Sequence, residues 1–304
     1  MNIYTHARCL EHDTGAGHPE HAGRLSAVLD ALKGELGHAL TWLEAPLGTE
    51  SQVGRAHVPA FVELLKRHAP AHGLIRVDAD TVMSPASLEA SYRASGALCA
   101  AVDAAFAAGT RSFCAVRPPG HHSTATEAMG FCLFNHVAVA AHHALAVHSA
   151  TRVSIVDFDV HHGNGTQDIV AHEPRIQFVS SHQSPLYPGT GRASERGVGN
   201  VVNGELRPYS GPKEFRALWS SRLLPAIDAF KPELIIVSAG FDAHRLDPLA
   251  DLNLDSDDYT WITTELVQLA ERHAHGRIVS TLEGGYSLAA LRESSVAHVR
   301  AMIG

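Results

Sequence analysis

Residues 1–304 read as one α/β domain, a mainly parallel central sheet with helices on both faces, and three observations predict it. Short apolar runs alternate with longer stretches of helical period, as successive strand–helix units require. The runs are apolar throughout rather than alternating, the pattern of strands covered on both faces. No internal repeat, low-complexity tract or linker divides the chain, and 304 residues lie near the upper size for one continuous core.

Taken in order, a helix is expected over 84–108, with Pro85 near a first turn where its missing N–H costs nothing. A strand over 112–117 follows, then a helix over 134–148, a strand over 152–159 and a strand over 175–181. The stretch 181–208 is rich in Gly, Pro, Ser and Asn and longer than ordinary connections, so it reads as a functional rim loop. Beyond it come a helix over 212–230 opened by Pro212, a strand over 233–239, a helix over 256–274, a strand over 277–282 and a helix over 288–302.

Composition removes several function classes. Hydrophobic residues make up 45% and charged residues 18%, ordinary for a folded domain. The formal charge is 24 − 32 = −8 with no basic run, which argues against a nucleic-acid partner. Cys9, Cys99, Cys114 and Cys132 are far apart and form no C-x-x-C pair, so reduced thiols are expected rather than disulfides or a thiolate metal site. The first residues lack the apolar core of a signal peptide and no stretch has membrane-span length, so a cytoplasmic location is expected and no membrane partner. The oligomeric state stays open. The 22 histidines are the compositional oddity.

In open α/β sheets ligands bind beyond the carboxyl ends of the strands. Polar clusters follow these strands: His121-His122, Asp157-x-Asp159-x-His161, Ser180-Ser181-His182, Asp242 and Glu283-Gly284-Gly285-Tyr286. On an extended strand Asp157, Asp159 and His161 would point to one face, a costly arrangement unless a cation compensates. A buried salt-bridge network is the competing reading, but no Lys or Arg is near to supply it. With Asp242 from another strand, two carboxylates and an imidazole suit a catalytic zinc site with a fourth position open; Fe²⁺ or Co²⁺ would also fit such donors. The prolines and glycine of Arg117-Pro118-Pro119-Gly120 would hold His121 and His122 at a fixed place beside it, able to move protons. The tandem His142-His143 lies within a helical pattern and reads as packing or surface. The Tyr286 hydroxyl could donate to a developing oxyanion; a helix-start aromatic is the alternative.

These motifs, with Gly130-Phe131-Cys132, His161-His162-Gly163-Asn164-Gly165, Pro188-Gly189-Thr190-Gly191 and Ser238-Ala239-Gly240-Phe241-Asp242, resemble the zinc-dependent histone deacetylase family in its class II-like bacterial form. The match runs from about His18 to the C-terminus, in the family's order and spacing. The resemblance implies an arginase-like α/β fold and hydrolysis of an N-acyl amide, first of all N6-acetyl-lysine, giving acetate and a free amine. It implies Asp159, His161 and Asp242 as zinc ligands and His121 and His122 as paired catalytic histidines, with His122 as general base. Tyr286 would polarise the carbonyl, Asp157 would orient His121, and Asn164 would face His122. A structural monovalent cation, usually potassium, would draw on Asp157, Asp159, His161, Ser180 and Ser181. Gly130, Phe131, Tyr187 and Leu249 would border the substrate tunnel, with Tyr187 in place of the usual phenylalanine.

Two departures carry weight. His21 stands where arginine is common near the product-release channel, with Arg24 close by in sequence, so acetate release is expected to depend on pH more than in relatives. Relatives specific for acetylated polyamines carry glutamate where this chain has Leu249, which favours a peptide acyl-lysine. Open alternatives are an acetylpolyamine amidohydrolase, a deacylase of longer acyl chains or other small amides, a non-catalytic acyl-amine binder, and a dinuclear manganese hydrolase of the arginase type.

Overall fold

Ten strands arise in the computed structural model, which describes residues 1–304. They are β1 (Asn2–Thr5), β2 (Thr41–Glu44), β3 (Ile75–Arg76), β4 (Val82–Met83), β5 (Ser112–Cys114), β6 (Val153–Asp157), β7 (Ile176–Gln183), β8 (Val201–Leu206), β9 (Leu234–Ala239) and β10 (Ile278–Leu282). Eight form one sheet in the order β2-β1-β5-β10-β9-β6-β7-β8, with every pairing parallel. β3 and β4 make a small antiparallel pair apart from it. Strands β5, β6, β7, β9 and β10 are buried at every position, which explains their largely apolar runs, with the polar residues of β7 concentrated toward its carboxyl end. Each fully buried Val, Leu or Ile there contributes about 1.5–3 kcal/mol of transfer free energy.

The helices that cover the sheet start where their sequences can satisfy free N–H groups. Asn135 accepts from Ala138 N at the head of His136–Val147, and Asp255 and Asp258 form a capping box on Ser256–His273. Leu288–Ile303 packs on both Ala22–Leu36 and Ser256–His273, and Ser87–Ala108 packs on His136–Val147. No helix is long and apolar enough to cross a membrane.

The fold departs from the sequence reading in four places. First, β6 ends at Asp157, so Asp159 and His161 do not sit on a strand. Asp157 Oδ1 accepts from Asp159 N at 3.0 Å and Asp159 Oδ1 accepts from His161 N at 2.9 Å. These side-chain-to-backbone bonds curl the chain away from the ladder. Second, the expected rim loop 181–208 contains the end of β7 and all of β8. Asn203 and Gly204 concealed β8, yet an edge strand pairs on one side only, and the buried Asn203 Nδ2 donates to Gln167 Oε1 at 2.7 Å.

Third, 212–230 is helical throughout but passes through a π turn at Trp219–Leu223. Pro225 has no N–H to offer the Ser221 carbonyl one turn back, which frees the local pattern to widen. Fourth, the sequence reading placed no element in residues 1–83, where β1 and β2 extend the sheet and the helices Ala7–Glu11, Ala22–Leu36, Glu50–Val53 and Pro59–His68 form. Their strands are only four residues long, too short for periodicity to register.

Candidate active site

The carboxyl ends of β5, β6, β7, β9 and β10 lie side by side, where the strand order doubles back on itself. The segment after β5 delivers His121 and His122. It is held by Glu283, whose Oε2 accepts from Gly120 N at 2.7 Å and His121 N at 3.2 Å while Ser238 Oγ donates to Oε1 at 3.0 Å. Burial pushes the Glu283 acid up to about 7.

The two imidazoles lie 4.0 Å apart, centroid to centroid, but have different partners. His121 Nδ1 donates to Asp157 Oδ2 at 3.0 Å. His122 Nδ1 donates to Asn164 Oδ1 at 2.7 Å, while Asn164 Nδ2 faces the His122 carbonyl and Met129 Sδ. Burial disfavours charge on His121, yet Asp159 and Asp157 outweigh it and hold that imidazole well above its ordinary range. Burial, then the charges of His121 and His161, hold His122 well below it. Neighbouring groups of one chemical type are thus driven to opposite protonation states. With Nδ1–H committed to Asn164, the His122 Nε2 lone pair is the one free to take a proton.

Asp159, His161 and Asp242 present donor atoms that lie within 4.8 Å of one another, all three residues buried. His161 Nδ1 is 3.1 Å from Asp159 Oδ1 and 3.2 Å from Asp242 Oδ2. Donors bonded tetrahedrally to one zinc ion stand roughly 3.3 Å apart, so the spacing fits. The outward oxygens are fixed: Asp159 Oδ2 accepts from Gly284 N and Asp242 Oδ1 from Val160 N, each at 2.8 Å. Asp242 Oδ2 has no hydrogen-bond partner, although it is fully buried. An orphaned carboxylate oxygen turned toward two other donors is the chemistry of a cation site. Burial and then the Asp159 charge push the Asp242 acid up. His161 is driven the other way from a buried base, up to about 10, because its hydrogen bond to Asp159 and the adjacent Asp242 and Asp159 charges outweigh its desolvation.

Close approach leaves no room for side chains here. A Cβ on Gly240 would stand 2.0 Å from Asp159 Oδ2, and one on Gly284 2.0 Å from Asp242 Oδ2.

A second group, Asp103, His143 and His148, also gathers three donors but is not equivalent. Both Nε2 atoms point hydrogens at Asp103 Oδ1, at 2.8 and 2.6 Å, and Arg55 donates to His143 Nδ1 at 3.0 Å. Arg55 fixes the tautomer that leaves His143 no lone pair toward the centre. His143, buried and kept neutral between Arg55 and Asp103, therefore belongs to the packing of its helix, as the helical setting suggested.

The pocket leading to the site has a volume of about 250 Å³ and is lined by Asp80, His122, Gly130, Phe131, His161, Leu186, Tyr187, Leu249 and Tyr286. Phe131 and Tyr286 stand 6.0 Å apart edge to face, and Tyr187 stands 5.1 Å from His122. All four residues expected at the tunnel are present. Of the residues expected around a monovalent cation, Asp157 and Ser180 are register partners on β6 and β7. The Ser180 hydroxyl pairs with His182 Nδ1 at 3.0 Å. Ser181 departs from the expectation: its hydroxyl accepts from Trp219 Nε1 at 3.1 Å, because successive strand residues face opposite ways.

His21 does not line this pocket. Its imidazole is exposed and caps Ala22–Leu36, accepting from Gly23 N at 3.1 Å. Arg24, one turn on and fully buried, reaches the site instead: its guanidinium lies 4.8 Å from the Tyr286 ring centroid and donates to the Gly285 and Glu283 carbonyls. Glu20 pairs with it at 2.8 Å, and that Glu–Arg pair at helical spacing was the signal available in the sequence. Sequence reasoning also passed over Asp80, Leu186 and Asp247. Burial and then Asp78 raise the Asp80 acid.

Comparison with known proteins places the chain among relatives. A family model described as "Histone deacetylase domain" matches residues 18–302. The chain is 37% identical over 324 residues to "Histone deacetylase 14, chloroplastic" of Arabidopsis thaliana, covering 99% of this chain and 76% of that protein. It is 37% identical over 281 residues to "Histone deacetylase-like amidohydrolase" of Pseudomonas aeruginosa, covering 90% and 73%. The crystal structure of the HDA15 HD domain superposes with a TM-score of 0.94 at 33% identity, covering 100% of this chain and 88% of that one.

Proposed function

The chain belongs to the histone deacetylase family, and from that premise we propose that it is a zinc-dependent hydrolase that removes an acyl group, acetyl foremost, from the side-chain amine of lysine in a peptide. The observation that carries this reading is the meeting, at the floor of one narrow pocket, of three convergent metal donors, a neutral imidazole with a free nitrogen, and a tyrosine hydroxyl. Asp159, His161 and Asp242 would hold the metal. When bound, a zinc ion supplies Lewis acidity, lowering the pKa of a water from ~15.7 to about 7 and polarising a carbonyl.

The protein's own groups do the rest. Gly130, Phe131, Leu186 and Tyr187 enclose the alkyl chain and exclude water from the amide. His122 takes the proton of the attacking water at Nε2, its ring kept neutral and oriented by Asn164. Tyr286 donates its hydroxyl hydrogen to the oxyanion that develops on the carbonyl oxygen; one such donor is worth about 3 kcal/mol. A proton then passes to the departing amine from the imidazole pair. His121, charged against Asp157 and Asp159, stabilises the anionic cluster rather than accepting a proton. A monovalent cation, potassium by resemblance, would draw on Asp157, Asp159, His161, Ser180 and Ser181, with Ser181 limited to its main-chain oxygen.

One observation favours a second substrate class: the Asp80 carboxyl at the pocket wall would attract the second ammonium of an acetylated polyamine. The apolar Leu249 beside it favours the peptide. A panel of acetyl-lysine peptides, acetylated polyamines and longer acyl-lysines, run on zinc-loaded enzyme with a chelated control, separates them. No product from any substrate with zinc bound would sink the hydrolase reading.

A further inference from the structure

Tyr286 sits on a segment, 283–287, that belongs to no strand or helix, and Gly285 within it adopts φ +116. Such a segment positions a hydroxyl only if its backbone is tied down. Three bonds do so. Gly284 N donates to Asp159 Oδ2, the Gly285 carbonyl accepts from Arg24, and the Tyr286 N–H itself donates to Asp247 Oδ2 at 2.7 Å. The first two hold residues before the tyrosine, so Asp247 alone holds the amide of Tyr286.

The other oxygen of Asp247 is equally committed. Oδ1 accepts from Leu249 N at 3.0 Å, and Asp247 N donates to the His244 carbonyl at 2.8 Å, closing a turn. Pro248 stiffens the step between. One carboxylate, only 8% exposed, therefore bridges the tyrosine segment and the rim segment that carries Leu249. Burial, and then the Asp242 charge, push this acid up to about 7.

We propose that Asp247 is a positioning residue for the reaction proposed above, its two oxygens clamping the Tyr286 backbone to the Leu249 rim so that hydroxyl and gate keep a fixed separation. A carboxamide cannot reproduce the clamp, because its one oxygen satisfies one amide and its NH2 meets the other as donor against donor.

Two measurements on the zinc-loaded, full-length protein test the clamp. Hydrogen exchange needs no substrate, so it decides the matter even if no acyl amine is turned over. Asp247→Asn should speed exchange by about tenfold or more in peptides covering 283–288 and 247–250, leaving the β6 and β9 peptides unchanged. The kinetic arm rests on the deacylase reading. Asp247→Asn should lower kcat about tenfold or more with KM changed by less than about threefold. In a Tyr286→Phe background the same substitution should change the residual kcat by less than about threefold, since no hydroxyl remains to misplace. Equal losses in both backgrounds, or unaltered exchange at 283–288, would overturn the clamp. Should Asp247→Asn not fold, Asp247→Ser, which also keeps one acceptor, carries the same expectations.

Discussion

Replacing Tyr286 by phenylalanine separates chemistry from stability with unusual clarity. The hydroxyl lines the pocket, while the residue's protein contacts are made by its backbone, to Asp247, and by its ring, to Arg24 and Phe131. Phenylalanine keeps all of these, so no buried partner is orphaned and the usual penalty of a lost hydrogen bond does not arise. A change in midpoint below about 2 °C is expected, since 1 kcal/mol shifts a domain of this size by roughly 2–4 °C or less. The kinetic cost is different in kind. Removing one donor to a developing oxyanion costs about 2.7–4 kcal/mol, or about 100- to 1000-fold in kcat, with KM nearly unchanged because the ground-state carbonyl gains little from it. A discontinuous assay of acetate released from an acetyl-lysine peptide, with zinc content and thermal midpoint measured on the same preparations, reads both quantities. A variant with kcat within about threefold of the parent would refute the role. So would one whose activity loss tracks a midpoint drop of several degrees.

Four further outcomes follow from named contacts. Asp242→Asn removes the orphaned carboxylate oxygen, so zinc bound after dialysis should fall from one per chain to a small fraction, and a chelator should abolish parental activity reversibly; parental activity in metal-stripped protein would refute the site. Leu249→Glu should shift kcat/KM toward acetylspermidine relative to an acetyl-lysine peptide by about tenfold or more, since a second rim carboxylate beside Asp80 attracts the extra ammonium; an unmoved ratio would show that the gate does not select. His21→Arg should leave turnover within about tenfold and cost at most about 1 kcal/mol, the value of a helix cap, whereas Arg24→Ala should cost about 1–3 kcal/mol because it leaves the buried Gly285 and Glu283 carbonyls without their donor while Arg117 still holds Glu20. His298 is fully buried between the Thr263 and Ser280 hydroxyls and burial pushes it down to about 3. The unfolded chain therefore binds the extra proton between pH 6.5 and 3, so stability is lost as pH falls through that window. From pH 7.5 to 5.5 this residue accounts for about 1.4 kcal/mol, and denaturant titration of His298→Asn should show that much less acid sensitivity.

The chain order of apolar runs and helical stretches was enough to determine a parallel α/β sheet, because strands buried on both faces must be continuously apolar. It also located the polar clusters, since ligands in such sheets gather past the strand ends. The residues named for metal, imidazole pair and tunnel do meet at one place. Their arrangement was not legible. Asp157, Asp159 and His161 were read as one face of a strand, yet they converge because their carboxylates bond the backbone two residues ahead and curl it. That competition is decided by local hydrogen bonds that periodicity does not register. β8 was hidden in a Gly- and Asn-rich stretch because an edge strand needs only one neighbour and β7 was its neighbour. The Glu20–Arg24 spacing marked an ion pair but not its place beneath Tyr286, and the reach of Asp247 could not be found from spacing at all. Arg24 stands 262 residues before the ring it underlies, and Asp247 reaches two backbone amides, one of them 39 residues away. Sequence determines which groups are available and roughly which edge of the sheet they reach; only packing decides which of them share a hydrogen bond, and hence which histidine is neutral and which arginine faces the tyrosine.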